Sequence, residues 1–431
     1  MPTHKKHLDF DLRLSVEGDR YFAKVSNSPA GESEKSQISL QFGSESLEAL
    51  RLRLADAVRR RSGSGVSPAS KEESLLREFG DQIFRAIFRN TFAVATKFEA
   101  SLGIVRERSD ELEGLRVKLH VDSPELALLP WEFMFDKAMG HEDAYLCLNN
   151  RSPIVRFLDI EGPPTRLPVD GPVRILGMVS NPCAAEWPDL DVEAERTRID
   201  MALKDLPAGS VELKWVHGGS TDRLFDMMQE GPWHIFHFIG HGGVDEYTDE
   251  QGQQRTRGFV LMQDGDGKPV KVYGSGLGGM LQADGSLQLA ILNCCEGARG
   301  AISSAGASLV SWGLPMVIAM QFPITDGASA RFAERFYRSL SMGETVEHAL
   351  TTARQGMLCA GGMEWGIPVL FSRSGSSVVF QAGVRKTPVT PITVTPPASM
   401  STLPTYAVAP VVNLKAQDEF RKMLSRRSGA R

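Results

Sequence analysis

From residue 171 to residue 371, short, mostly apolar runs alternate with stretches of helical spacing, and few folds accept that rhythm. The apolar runs are 173–179, 211–216, 233–239, 287–293, 317–321 and 367–371. Helical stretches fall between them, at 190–206, 221–228, 272–283, 305–312, 328–340 and 345–358, and 259–262 reads as part of a hairpin. A strand that is apolar on every residue must be covered on both faces, and strand–helix–strand units pair in parallel. The pattern predicts an α/β fold with a mainly parallel sheet and helices on both faces. Open α/β sheets bind their ligands at the carboxyl ends of the strands. The residues that end each apolar run therefore matter most.

The first 160 residues follow other rules. Residues 8–42 alternate apolar and polar, as in Leu8-Asp9-Phe10-Asp11-Leu12-Arg13-Leu14, with turn residues between the runs. This predicts a small antiparallel sheet. Helices are predicted over 44–61 and 73–102, with a basic and then Gly/Ser-rich surface loop over 59–70. A strand is predicted at 115–121. Ser123 and Pro124 make an N-cap and first helical position, but Pro130 interrupts the helix they begin. Trp131 and Phe133 read as core between two halves of the chain. A strand is predicted again over 146–156. Pro163, Pro164 and Pro168 mark a boundary within 160–170. Residues 385–431 hold six prolines in a Thr/Val-rich stretch and read as a linker ending in a helix-capable segment at 414–424.

Bulk properties exclude several classes. Hydrophobic content of 42% over 431 residues allows a large core, and the length suggests two or three domains. A net charge of −5 gives no global basic footprint for nucleic acid. No run reaches the roughly 18 apolar residues of a membrane span, and the first residues carry no apolar signal core. The five cysteines lack any CxxC pair, so neither a zinc knuckle nor a thioredoxin motif is expected. Reduced thiols in a cytoplasm, with no metal, no cofactor and no membrane partner, are the expectation.

Two strand ends carry reactive side chains: Ile235-Phe236-His237-Phe238-Ile239-Gly240-His241-Gly242-Gly243 and Leu289-Ala290-Ile291-Leu292-Asn293-Cys294-Cys295-Glu296-Gly297. A histidine beside a cysteine can generate the thiolate, which is the attacking form. His241 and Cys295 stand 54 positions apart, in the order and near the spacing of caspase-like nucleophiles. Gly242 and Gly243 let the backbone approach a carbonyl, so the N–H groups of Gly242 and Cys295 are candidate oxyanion donors. Cys294 competes with Cys295, since alternation puts one of the two in the core. His237, between two phenylalanines, reads as a core histidine, and His234 as structural. Asp245, Glu246 and Asp249 read as a solvated acidic loop, with the rim of a basic pocket as the alternative.

These blocks resemble a CHAT domain, a caspase- and separase-like family of cysteine peptidases. His241-Gly242 after an apolar strand, and Asn293-Cys294-Cys295-Glu296-Gly297-Ala298, are similar to its two catalytic blocks. Leu129-Pro130-Trp131-Glu132-Phe133-Met134-Phe135-Asp136 resembles the block that opens it. Phe322-Pro323-Ile324-Thr325-Asp326, the helix through Arg331-Phe332-Ala333, and Trp365-Gly366-Ile367-Pro368-Val369 resemble its later blocks. The resemblance covers roughly 115–375. Glu296 matches the family's Ala-Cys-Glu, which implies that Cys295 is the nucleophile, and Glu296 joins the candidate substrate-binding residues. An Asp in a similar Thr-Asp block of separase-like relatives binds a basic residue before the cleaved bond. For Asp326 that role and a plain helix N-cap stay open together.

The resemblance implies a caspase-type sheet over 166–384, preceded by a pseudo-caspase half over 111–165 and a small β+α domain over 1–110, with the 385–431 tail beyond. It implies an endopeptidase that cleaves a protein partner, after Arg, in a regulated bacterial defence or signalling pathway, and an activating partner or sensor subunit. The alternative is an inactive caspase-like scaffold that binds partner proteins. An acyltransferase using the same Cys–His pair is a third expectation.

Overall fold

The computed structural model describes residues 6–40, 42, 46–61, 70–140, 144–160, 169, 171–182, 187, 189–248, 250, 252, 254–282, 285–294 and 303–374. The chain divides into two units, 1–383 and 384–431, and every described residue belongs to the first. The linker and helix expected within 385–431, most of the 160–170 boundary and most of the 59–70 loop lie outside the described residues. Among the described residues no helix is long and apolar enough to cross a membrane.

The strands are β1 (Lys6–Glu17), β2 (Arg20–Asn27), β3 (Ser36–Ile38), β4 (Leu112–Val121), β5 (Ile154–Phe157), β6 (Val173–Val179), β7 (Val211–Trp215), β8 (Ile235–Gly240), β9 (Gly242–Thr248), β10 (Gln254–Gln263), β11 (Pro269–Tyr273), β12 (Leu289–Cys294), β13 (Met316–Met320) and β14 (Pro368–Ser372). The helices are α1 (Leu47–Arg61), α2 (Lys71–Phe88), α3 (Phe92–Glu107), α4 (Pro124–Ala127), α5 (Val192–Lys204), α6 (Thr221–Met228), α7 (Gly274–Leu281), α8 (Ser303–Ser311), α9 (Asp326–Ser341) and α10 (Val346–Leu358). An 11-stranded sheet runs in the order β3-β2-β1-β4-β5-β14-β13-β12-β8-β6-β7, and β11-β10-β9 form a separate small sheet. Neighbours in the large sheet are parallel except β3·β2, β2·β1 and β14·β13. The expected mainly parallel α/β architecture is present.

Alternation along the central strands builds a core on each face. Ile175, Ile235, Ile291 and Ile318 join one core with Ile199 of α5, Phe332 of α9 and Ala349 of α10. Their strand neighbours Leu176, Phe236, Leu292 and Ala319 join the other, with Leu224 of α6, Leu277 of α7 and Leu309 of α8. Successive strand residues point to opposite faces, so strands that carry apolar residues on both faces account for the two helix layers.

The N-terminal strands are antiparallel to one another, and they are continuous with the large sheet. β1 pairs in parallel with β4 from Lys6↔Leu112 to Leu14↔Val121. The helix expected over 73–102 is two helices. The Asn90 N–H returns to the Arg85 carbonyl at 2.7 Å and the Thr91 hydroxyl to that of Ala86 at 2.7 Å, which closes α2 before α3 begins. Pro130 ends the short α4 region, and Trp131–Phe133 follow as a 3-10 turn. Trp131 and Phe133 are wholly buried, and Phe133 packs 5.1 Å from the Trp365 ring, so the core role expected for them holds. The strand expected over 146–156 is a 3-10 turn at Leu146–Leu148 followed by the short β5.

Candidate active site

β8 and β12 are adjacent and parallel, with Leu289 opposite Ile235 and Cys294 opposite Gly240 at the carboxyl end. His241 is the next residue after β8. Cys295 and Glu296 lie outside the described residues, and so do Gly297, Ala298 and the side chain of Cys294. The described backbone thus brings the residue before each candidate into one rung of the ladder.

His241 is fully buried at the junction between the two sheets. Its carbonyl accepts a hydrogen bond from the Leu261 N–H of β10 at 2.9 Å. In the antiparallel β9–β10 ladder this bond makes Gly242 and Val260 a non-hydrogen-bonded pair, whose N–H groups point away from the partner strand. The Gly242 N–H therefore faces away from β10. Gly243, opposite Phe259, belongs to the bonded set instead. The indole of Trp187 lies 5.3 Å from the His241 ring, at 32° to it, and also meets the Phe259 ring at 6.4 Å in a near-perpendicular arrangement. Gln263 ties this region together: its side-chain amide donates to the Asn181 carbonyl at 3.0 Å and accepts from the Gly219 N–H at 3.2 Å. The Asn181 amide in turn donates to the Leu190 carbonyl at 2.8 Å, bracketing the segment that carries Trp187.

The neighbouring histidines have other duties. His237 bonds the Tyr337 hydroxyl at 2.6 Å, and burial pushes its pKa down to about 3, so it stays neutral. His234 accepts the Arg174 N–H at 2.9 Å. Both are structural, as the sequence suggested. Asn293, two residues before Cys295, is fully buried and donates to the Ser329 hydroxyl of α9 at 2.5 Å.

Asp326 is the first residue of α9. The capping role belongs to Thr325, whose hydroxyl accepts from the Ala328 N–H at 3.4 Å. That corrects the N-cap reading of Asp326: two adjacent residues were both good caps, and Thr325 is the one held in extended conformation. Glu364 fixes this corner, accepting from the Thr325 N–H at 2.7 Å and from its hydroxyl at 2.9 Å. The Asp326 carboxylate is half exposed and pairs with Arg198 of α5 at 2.9 Å. Arg198 also pairs with Glu195, one turn earlier on α5 and nearly buried. Burial, and the nearby Asp326 and Asp191 charges, hold the Glu195 carboxyl above its ordinary range against the opposing pull of Arg198.

The CHAT domain family matches residues 85–365. This chain belongs to the CHAT domain family. Solved structures of the Saccharomyces cerevisiae separase–securin complex are similar over 84% of this chain and 30% of that chain (10% identity, TM-score 0.44), and over 76% and 22% (13% identity, TM-score 0.30). The chain thus spans less than a third of the separase chain it matches. No curated protein matches it.

Within the CHAT domain the opening block is a buried bracket. Arg156 of β5 donates to Glu132 at 2.7 Å, and Gln321, just after β13, donates to the same carboxylate at 2.9 Å and to the Gly366 carbonyl at 2.7 Å. Glu132 and Arg156 are nearly inaccessible, and the pair locks β5 to the carboxyl end of β13. The acidic residues after His241 are not a loop: Asp245 and Glu246 lie on β9, while Asp249 falls outside the described residues. Asp245 accepts from Lys271 and from the Tyr273 hydroxyl, both at 2.8 Å. The Lys271 hydrogen bond, opposed by slight burial, leads the causes that lower its pKa. Among the described residues no group of three or more His, Cys, Asp or Glu side chains is placed to hold a metal ion. Trp187, Gln263 and Arg198 went unread in the sequence. An aromatic in the loop that follows β6 at the sheet's carboxyl edge was the available signal for Trp187; the other two carried none.

Proposed function

We propose that this CHAT protein is a cysteine endopeptidase with His241 and Cys295 as its dyad. The reading is carried by the β8–β12 ladder, which runs in parallel to Cys294 opposite Gly240. His241 takes the Cys295 proton, and the thiolate sulfur attacks the peptide carbonyl carbon. The N–H of Gly242, which points away from β10, and that of Cys295 receive the developing oxyanion. The tetrahedral adduct collapses, the C–N bond breaks, and His241 returns its proton to the leaving amine. Water, deprotonated by His241, then cleaves the thioester and frees Cys295. General acid–base help of this kind is worth about 10²–10⁴-fold, and one oxyanion donor about 10²–10³-fold.

Asp326 is the residue we assign to a basic side chain, Arg above all, before the cleaved bond. It lies one helical turn from Ser329, which bonds Asn293 at the end of the nucleophile's strand. A carboxylate receives a guanidinium through two parallel hydrogen bonds. The substrate is a protein, Glu296 a further contact to it, and an activating partner or sensor subunit part of the system. Action in the cytoplasm, which rests on the cysteine usage, and in a regulated bacterial defence or signalling pathway, which rests on family membership, belongs to the same proposal. The test is substrate profiling of the full chain against a peptide library, with its own 385–431 segment followed by mass spectrometry. Cleavage after Arg by wild type and none by Cys295→Ala is expected; a Cys295→Ala protein that cleaves as well as wild type removes the assignment.

A further inference from the structure

We propose that Arg198 fills the basic subsite of the resting protein, and that the incoming basic side chain takes Asp326 from it while Glu195 keeps hold of Arg198. This rests on the reading of Asp326 as the specificity carboxylate. The guanidinium of Arg198 sits between two carboxylates on two helices: Glu195 on its own α5 and Asp326 on α9 at 2.9 Å. It is thus a side chain of the same chemistry as the proposed ligand, already seated on the group that would read that ligand.

The two partners differ in a way that makes exchange easy in one direction. Glu195 is 3% exposed, so leaving it without a partner would strand a buried charge, which proteins resist strongly. The Asp326 side chain is 53% exposed, and an ion pair open to water contributes little. Arg198 therefore holds Glu195 firmly and Asp326 loosely. The corner bearing Asp326 does not need Arg198 to keep its place, because Thr325 is fixed by two hydrogen bonds to Glu364 and Ser329 by one to Asn293. Exchange then moves a guanidinium and leaves the helix where it is. The consequence is a threshold: a ligand must offer a better-placed cation than Arg198. Arginine with its rigid fork meets that requirement better than lysine, and neutral side chains gain nothing from the subsite.

The experiment measures the rate at which peptidyl acyloxymethyl ketones label Cys295 in the full chain. Probes carry Arg, Lys or norleucine at the position before the reactive carbonyl. Arg198→Ala, and the bulkier Arg198→Gln should the first fold poorly, are expected to raise the Arg-to-norleucine rate ratio about 2- to 5-fold. Arg198→Lys should restore a ratio near wild type, which a merely structural effect would not do. Glu195→Gln, which removes the second carboxylate holding Arg198, should lower the ratio. If Arg198→Ala and Arg198→Gln leave the ratio unchanged while Asp326→Ala collapses it, Arg198 has no such role and the Asp326 assignment stands. If Asp326→Ala also keeps the ratio, both fall. If Cys295 is not labelled by any probe, the peptidase reading falls and this inference with it.

Discussion

The β1–β4 pair and the β8–β12 pair are parallel neighbours in the same sheet, and both bury apolar side chains, but only β1–β4 also buries a row of charged ones. Along β8 and β12 the residues are apolar on both faces, apart from His237, and the polar groups gather at the carboxyl ends as Asn293 and His241. Along β1 and β4 charge runs through the middle of the strands. Arg116 pairs with Asp9 and with Glu347 of α10, each at 2.6 Å; Lys118 pairs with Asp9 at 2.6 Å; His120 bonds Asp11 and Asp159 at 3.1 Å. Each of these buried basic groups meets a carboxylate, so the ladder fixes the register of β1 on β4 without being available to react. The proposed dyad needs a partner that can come and go, and it is assigned to the carboxyl edge of β8 and β12, away from such charge pairs.

The largest effect separating the two pairs is in catalysis. His241→Ala should lower peptide cleavage about 10²–10⁴-fold, read as kcat/KM on the best library substrate. Arg116→Ala should act on the other axis. It strands the buried Glu347, and should cost about 3–5 kcal/mol in urea unfolding while cleavage per folded molecule persists. An Arg116 variant that lost activity before stability would break the contrast.

How far this contrast can be read in sequence depends on where each partner sits. β8 and β12 were legible because a run that is apolar on both faces can be read without knowledge of its neighbours. The antiparallel β1–β3 hairpins were legible from alternation and turn residues. That β1 joins β4 was not, because the parallel partner lies about a hundred residues away and offers no turn between them. The stretch after His241 looked like a loop because Asp245 and Glu246 are poor strand formers; pairing with β10 overrides that preference. At the site, His241 and the two cysteines stood out by residue type. Arg198 did not, since a charged residue on an amphipathic helix looks the same whether it faces water or Asp326.

Smaller effects sharpen the comparison. Ser329→Ala leaves the fully buried Asn293 amide short of an acceptor and should cost about 1–3 kcal/mol. It should also lower kcat more than it raises KM, since it loosens the end of the strand that leads to the proposed nucleophile. In the charged region His348 supplies a pH signature. Its hydrogen bond to Glu113 at 3.0 Å, opposed by partial burial and aided by Glu344, raises its pKa above the ordinary 6.5. A raised histidine stabilises the fold when protonated. The contribution is therefore full below pH 6.5 and is lost as the pH rises through the higher folded value. Unfolding free energies of wild type and His348→Gln should converge as pH rises across that window; a constant difference would remove His348 from the account.

The central claim, a thiol–imidazole pair at the carboxyl edge of β8 and β12, is tested most directly by mapping where a peptidyl thiol electrophile with Arg beside its reactive carbonyl attaches. Two described cysteines, Cys147 and Cys359, are built-in controls. Cys359 is exposed, whereas Cys147 is buried and its thiol is pushed up to about 12, out of reach of neutral-pH alkylation. The account predicts rapid, stoichiometric labelling of Cys295 in wild type, with the rate lost in His241→Ala and slow background labelling at Cys359 unchanged. Labelling of Cys295 at the same rate without His241, or no preference for Cys295 over Cys359, would contradict it.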